Sequence, residues 1–125
     1  MKQTILVVDD NPDVILTVKA GLEDSQNKYS IIGANSGEKC LKLLDDSQLP
    51  DLILLDIMMP EMTGWETFDL IKENESWKDI PIVLLTARTD RIAKNAGDFL
   101  GDDYIEKPFE VNDLKARIDK VLNNK

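Results

Sequence analysis

The chain has no histidine and one cysteine, Cys40, so it can form no internal disulfide and cannot build a His/Cys metal site or a histidine-assisted nucleophile. Cys40 falls within a stretch of helical periodicity and is expected to be a core-facing helix residue rather than a reactive thiol. No apolar run approaches the ~18 residues needed for a membrane span, so membrane insertion is not expected. The amino terminus lacks an apolar segment followed by a small-residue cleavage site, which makes a cytoplasmic location the expectation. Basic residues are also scarce: 15 Lys and Arg against 24 Asp and Glu give a net charge of -9. That balance disfavours non-specific binding to nucleic acid or an anionic membrane, so a DNA output would need another chain or domain. Repeats and low-complexity tracts are absent, and residues 1–125 are expected to form one domain whose 42% hydrophobic content suffices for a core.

What is present is organised around Leu52-Ile53-Leu54-Leu55-Asp56, an apolar run that ends in a carboxylate and is stopped soon after by Pro60. Such a run reads as a strand buried on both faces, as in a parallel sheet covered by helices. Ile5-Leu6-Val7-Val8 runs likewise into Asp9-Asp10, Ile82-Val83-Leu84-Leu85 into Thr86, and Tyr104-Ile105 through Glu106 to Lys107-Pro108. As neighbouring parallel strands they would bring Asp9, Asp10, Asp56, Thr86 and Lys107 to one edge, where ligands gather in open α/β sheets. Three carboxylates, a hydroxyl and an ammonium suit a divalent cation beside a phosphoryl group.

Helix signals alternate with these runs. Asn11-Pro12 starts a first helix with Val14, Ile15, Val18 and Leu22 on one face. Tyr29 to Ala34 reads as a strand, and Ser36 caps a helix carrying Cys40, Leu41 and Leu44. After a loop from Pro60 to Gly64, a third helix turns Trp65, Phe68 and Ile71 inward, with Leu70 at the margin of that face. Trp77 is expected to be a partly exposed packing residue. A fourth helix is expected from Arg88 to about Ala96, and a fifth from Glu110 to Asn123 with Val111, Leu114, Ile118, Val121 and Leu122 inward. The fold class is therefore α/β: a doubly wound (βα)5 domain, flavodoxin-like, three layers thick, with a five-stranded parallel sheet in the order 2-1-3-4-5.

Four segments carry a family resemblance: Val7-Val8-Asp9-Asp10-Asn11, Leu54-Leu55-Asp56-Ile57-Met58-Met59-Pro60 with Gly64, Leu84-Leu85-Thr86-Ala87-Arg88, and Asp102-Asp103-Tyr104-Ile105-Glu106-Lys107-Pro108-Phe109. In this order and spacing the chain resembles the receiver domain of two-component response regulators, including the single-domain chemotaxis regulator. The resemblance implies that Asp56 accepts a phosphoryl group from a histidine kinase or a phosphotransfer protein. It also implies that Asp10 directly, Asp9 largely through water, Asp56 and the backbone carbonyl of Met58 hold Mg2+ or Mn2+. Thr86 would bind a phosphoryl oxygen, and Lys107 would pair with Asp56 or its phosphate. Tyr104 would be the aromatic switch that follows Thr86, and the bond before Pro108 would be cis. Met58 and Arg88 stand where the family flanks the water that attacks the phosphoaspartate. The resemblance further implies an output face made by the fourth helix, fifth strand and fifth helix, read by a downstream effector or output domain or used for homodimerisation.

The chemistry is coherent without the family. Two ionised carboxylates 4 Å apart repel by about 4 kcal/mol at an effective dielectric near 20, so an empty cluster of three is strained and a divalent cation relieves it. Phosphoryl transfer needs positioning and charge neutralisation more than a general base, so the absence of histidine is no obstacle. Two other readings compete. A hydrolase working through an aspartyl-phosphate would usually need a second Asp two residues after the nucleophile, where this chain has Met58. An unphosphorylated interaction module would have no use for Asp56, Thr86 and Lys107 together.

Overall fold

Each apolar run of the sequence forms a strand, and the register between strands carries the sheet. The structure, a computed structural model, describes residues 2–23, 28–46, 49–87 and 103–123. Its elements are β1 (Gln3–Val8), α1 (Pro12–Leu22), β2 (Tyr29–Ala34), α2 (Gly37–Asp45), β3 (Leu52–Asp56), α3 (Gly64–Glu73), β4 (Ile82–Ala87), β5 (Asp103–Lys107) and a C-terminal helix (Val111–Asn123). The strands form one sheet in the order β2-β1-β3-β4-β5, and every pairing is parallel. This is the doubly wound order expected from the sequence. The expected helix from Arg88 to Ala96, with the Arg88 position itself, lies outside the described residues, as do Leu100, Gly101 and Asp102.

Strand side chains alternate between two faces, and the core divides accordingly. Leu6, Val8, Ile53, Leu55, Ile82 and Leu84 pack with Cys40 and Leu44 of α2 and Phe68 and Ile71 of α3. Ile5, Val7, Leu52, Leu54, Val83 and Leu85 pack with Val18 and Leu22 of α1 and Leu114 and Ile118 of the C-terminal helix. Every residue of β3 is buried, the signature of a central strand covered on both faces. β1 begins at Gln3 rather than Ile5 because its pairing with β2 runs from Gln3↔Tyr29 to Val8↔Ala34, so polar residues continue the ladder.

Helix ends follow their capping chemistry. Asn11 accepts the Asp13 N–H at 2.9 Å ahead of Pro12, and Ser36 accepts the Lys39 N–H at 3.1 Å. Leu70 departs from the expected inner face: it is 42% exposed, while Phe68 and Ile71 on either side of it fill the core. At one position off their neighbours' stripe, a 100° rotation per residue turns it outward. Trp77 is half-buried against the α2/α3 side of the core, as expected. On the edge strand β2, the Ile31 N–H donates to Glu23 Oε2 at 2.8 Å, and the Tyr29 hydroxyl is hydrogen-bonded to Asp119 of the C-terminal helix.

Cys40 is fully buried, and burial pushes its thiol up to about 12. Because only the thiolate is nucleophilic, alkylation at pH 8 should run on the order of a thousandfold slower in the folded protein than in denaturant. Intact mass after timed iodoacetamide exposure measures this; equal rates in the two conditions would contradict the burial.

Candidate functional site

β1 ends against Asp9, whose carboxylate is fully buried and whose N–H donates to the Ala34 carbonyl at 3.0 Å. Asp9 Oδ1 accepts the Asn11 N–H at 2.9 Å, and Asp9 Oδ2 accepts from Lys107 Nζ at 2.7 Å. Since Asn11 caps α1 with its own side chain, neither Asp9 nor Asp10 is consumed as the helix cap. Asp10 is exposed. β3 delivers Asp56, 3% exposed, whose Oδ1 accepts the Met58 N–H at 3.2 Å and lies 3.4 Å from Lys107 Nζ. One carboxylate oxygen from each of Asp9, Asp10 and Asp56 lies within 4.8 Å of the others.

The next two strands complete the rim through their register. Asp56 pairs with Leu85 on β4, so Thr86 follows one step further along the neighbouring strand; Thr86 pairs with Glu106, and Ala87 with Lys107. Thr86 is fully buried, and among the described residues its Oγ1 has no hydrogen-bond partner. A buried hydroxyl left without a partner costs about 1–3 kcal/mol, a cost that a ligand oxygen within reach would remove.

The electrostatics follow from this crowding. Burial, reinforced by the charge of Asp9, pushes the Asp56 carboxyl up to about 6, although Lys107 and the Met58 amide pull the other way. Burial alone would lower the Lys107 ammonium, but its hydrogen bond to Asp9 and the charges of Asp56 and Asp9 more than reverse that and hold it above its ordinary value. Lys107 was expected to pair with Asp56; its shorter contact is with Asp9. Lys107 thus bridges two buried carboxylates, each of which needs a partner.

The loop from β3 to α3 fixes the site from below. Glu61 adopts φ 63, Thr63 and Glu66 form a reciprocal capping box, and the Gly64 N–H donates to the Ile57 carbonyl at 2.9 Å. A Cβ on Gly64 would lie 2.2 Å from the Asp56 carbonyl oxygen and 2.5 Å from Ile57 Cα. Gly64 therefore lets the start of α3 press directly on the backbone of Asp56. The peptide bond before Pro108 is cis, as the resemblance implied. Tyr104 is half-buried, packs at the α2/α3 side of the core and is the register partner of Leu84.

The structure thus gathers Asp9, Asp10, Asp56 and Lys107 in direct proximity and sets Thr86 at the same strand ends. The Asp9–Lys107 pair escaped the sequence because spacing alone does not reveal which carboxylate the ammonium approaches more closely. Gly64 was visible as a motif residue, but its closeness to Asp56 needs coordinates. The oxygen-only donor set of the three aspartates fits a hard divalent cation such as Mg2+.

The chain is similar to known proteins. A family model, the response regulator receiver domain, matches residues 5–119. Histidine kinase P4 of Formosa agariphila is 41% identical over 99% of this chain, which corresponds to 9% of that protein. The transcriptional regulatory protein CpxR of Escherichia coli is 40% identical over 94% of this chain and 48% of its own length. The chain therefore spans less than half of either curated relative. Among solved structures, chemotaxis protein CheY4 of Vibrio cholerae superposes with a TM-score of 0.85 at 26% identity, covering 97% of this chain and 99% of that one.

Proposed function

Because this chain belongs to the response regulator receiver domain family, we propose that Asp56 is its phosphoacceptor and that Asp9, Asp10, Thr86 and Lys107 serve the transfer. The module is a signalling switch of a two-component system, not a turnover enzyme on an outside substrate. The observation that supports the assignment most is the buried, unpartnered Thr86 hydroxyl at the same sheet rim as Asp56 and Lys107.

The donor is a phosphohistidine on a histidine kinase or a phosphotransfer protein. An Asp56 carboxylate oxygen attacks phosphorus as the P–N bond to the donor imidazole breaks, leaving an acyl phosphate on Asp56 and a neutral imidazole after proton uptake. Asp56, pushed up to about 6, is still mostly ionised at neutral pH and so remains nucleophilic. Lys107 supplies positive charge to the incoming phosphoryl oxygens, and the Thr86 hydroxyl donates to one of them, satisfying its orphaned oxygen. When bound through Asp10, Asp9, Asp56 and the Met58 backbone carbonyl, Mg2+ or Mn2+ would neutralise both the carboxylate cluster and the phosphoryl oxygens.

The gain of a doubly charged group then shifts a two-state equilibrium toward the state in which Thr86 moves to the phosphate and Tyr104 turns inward after it. A shift from 1:99 to 99:1 takes about 5.5 kcal/mol of differential stabilisation. The readout face comprises β5, the C-terminal helix and the helix expected between Arg88 and Ala96, where an output domain, a separate effector or a second copy would dock.

Incubating the chain with acetyl phosphate tests the chemistry. With Mg2+ the intact mass should rise by one phosphoryl group, and hydroxylamine, which cleaves acyl phosphates, should reverse the gain. No gain, or a gain indifferent to both Mg2+ and hydroxylamine, would overturn the assignment in favour of an unphosphorylated interaction module.

A further inference from the structure

Among the described residues, the exposed methionine is Met58, two positions after Asp56. Met58 is 65% exposed, whereas Met59 is 6% exposed and Met62 is half-buried, its sulfur 2.9 Å from where a Cβ on Gly37 would stand. The lone cysteine offers no competing target, because Cys40 is fully buried and burial pushes its thiol up to about 12. Histidine is absent. Met58 is also tied to the reacting group, since its N–H donates to Asp56 Oδ1 at 3.2 Å. A large apolar side chain left in water there gains nothing from burial, so packing does not account for it.

From these observations we propose that Met58 is an oxidant-sensitive control residue, whose conversion to the sulfoxide by a hydroperoxide slows phosphoryl uptake at Asp56; this rests on Asp56 being the phosphoacceptor. The thioether sulfur attacks one peroxide oxygen, the O–O bond breaks and an S–O bond forms. Methionine is oxidised by two electrons, and the hydroperoxide, with a proton, leaves as water or an alcohol. The product is a polar side chain with a strong acceptor oxygen, and it is enzymatically reversible. Met58 follows Asp56 by two positions and its N–H holds Asp56 Oδ1, so the larger, strongly hydrated sulfoxide stands next to the group a phosphodonor must reach. Uptake should slow by about threefold, because the donor must displace that bound water.

The test uses dilute hydrogen peroxide followed by tandem mass spectrometry. Met58 should gain one oxygen well before Met59 or Met62, and oxidation of either of those as fast as Met58 would overturn the site. Phosphoryl uptake from acetyl phosphate is then timed before peroxide, after peroxide, and after methionine sulfoxide reductase. Slowing that the reductase reverses, and that is missing when Met58→Leu is compared with itself before and after peroxide, supports the control role. An unchanged rate in oxidised wild type overturns that role, as does equal slowing in Met58→Leu. Failure of untreated wild type to take up phosphate would instead refute Asp56 as phosphoacceptor, and the control role with it, while the oxidation map would stand as measured.

Discussion

Asp56→Asn should abolish phosphoryl uptake and, in the absence of divalent cations, make the folded protein more stable than wild type. The loss of uptake follows because an amide is not a nucleophile. The gain in stability follows from the burial of Asp56 beside Asp9: its carboxyl is pushed up from 3.8 to about 6, so the folded state resists its ionisation. At about 1.4 kcal/mol per pH unit, ionised Asp56 costs on the order of 3 kcal/mol at neutral pH, and the uncharged amide avoids this. The sign with pH is definite. Between about 4 and 6 the folded state holds the Asp56 proton more tightly than the unfolded chain, so this group stabilises wild type at low pH and the contribution is lost as pH rises through 6. The advantage of Asp56→Asn should therefore be small near pH 4, grow to about pH 6 and then level off. Mg2+ should reverse the order, because a ligand that binds only the folded state stabilises it by mass action and the variant has lost one of its oxygens. Urea unfolding at several pH values, with and without Mg2+, measures all of this. A stability difference flat across pH would show that Asp56 is not held above its ordinary range.

Gly64→Ala should be the most damaging single-methyl change in the β3–α3 region. The added Cβ would meet three backbone atoms within 2.9 Å: the Asp56 carbonyl oxygen and carbon and Ile57 Cα. A flexible side chain could rotate away from such a clash, but backbone in the central strand can move only by displacing the ladder on both sides. Overpacking of a tight interior costs about 1–3 kcal/mol, and this contact should reach the upper end. The displacement also falls on the carbonyl of Asp56 itself, so phosphoryl uptake should slow along with the loss of stability. Thermal unfolding and an acetyl phosphate time course report the two effects separately. An unchanged melting temperature would mean that α3 does not press on β3 as described.

Much of this was legible in the sequence because apolar runs that end in polar residues mark both the strand and the edge at which its chemistry lies. β3 and β4 were visible as continuous apolar runs, and their terminal residues, Asp56 and Thr86, came with them. Leu70 was placed at the margin of the inner face of α3 because hydrophobicity alone does not separate a stripe residue from its neighbour. The preference of Lys107 for Asp9 was illegible for a different reason. It depends on the side-chain geometry of an ammonium and a carboxylate that lie 98 residues apart in the sequence. The roles of Glu23 and Asp119 were illegible because nothing in their spacing marks a carboxylate whose side chain reaches back to β2.

The Glu23 contact bears on how copies of this molecule can meet. β2 is one of the sheet's two edge strands, and an edge strand offers its outward amides to any passing chain. With the Ile31 amide already answered by a carboxylate from its own polypeptide, a stranger's strand finds an occupied donor and a negative charge where it needs a free one. Sheet-to-sheet fusion along this border is thereby discouraged.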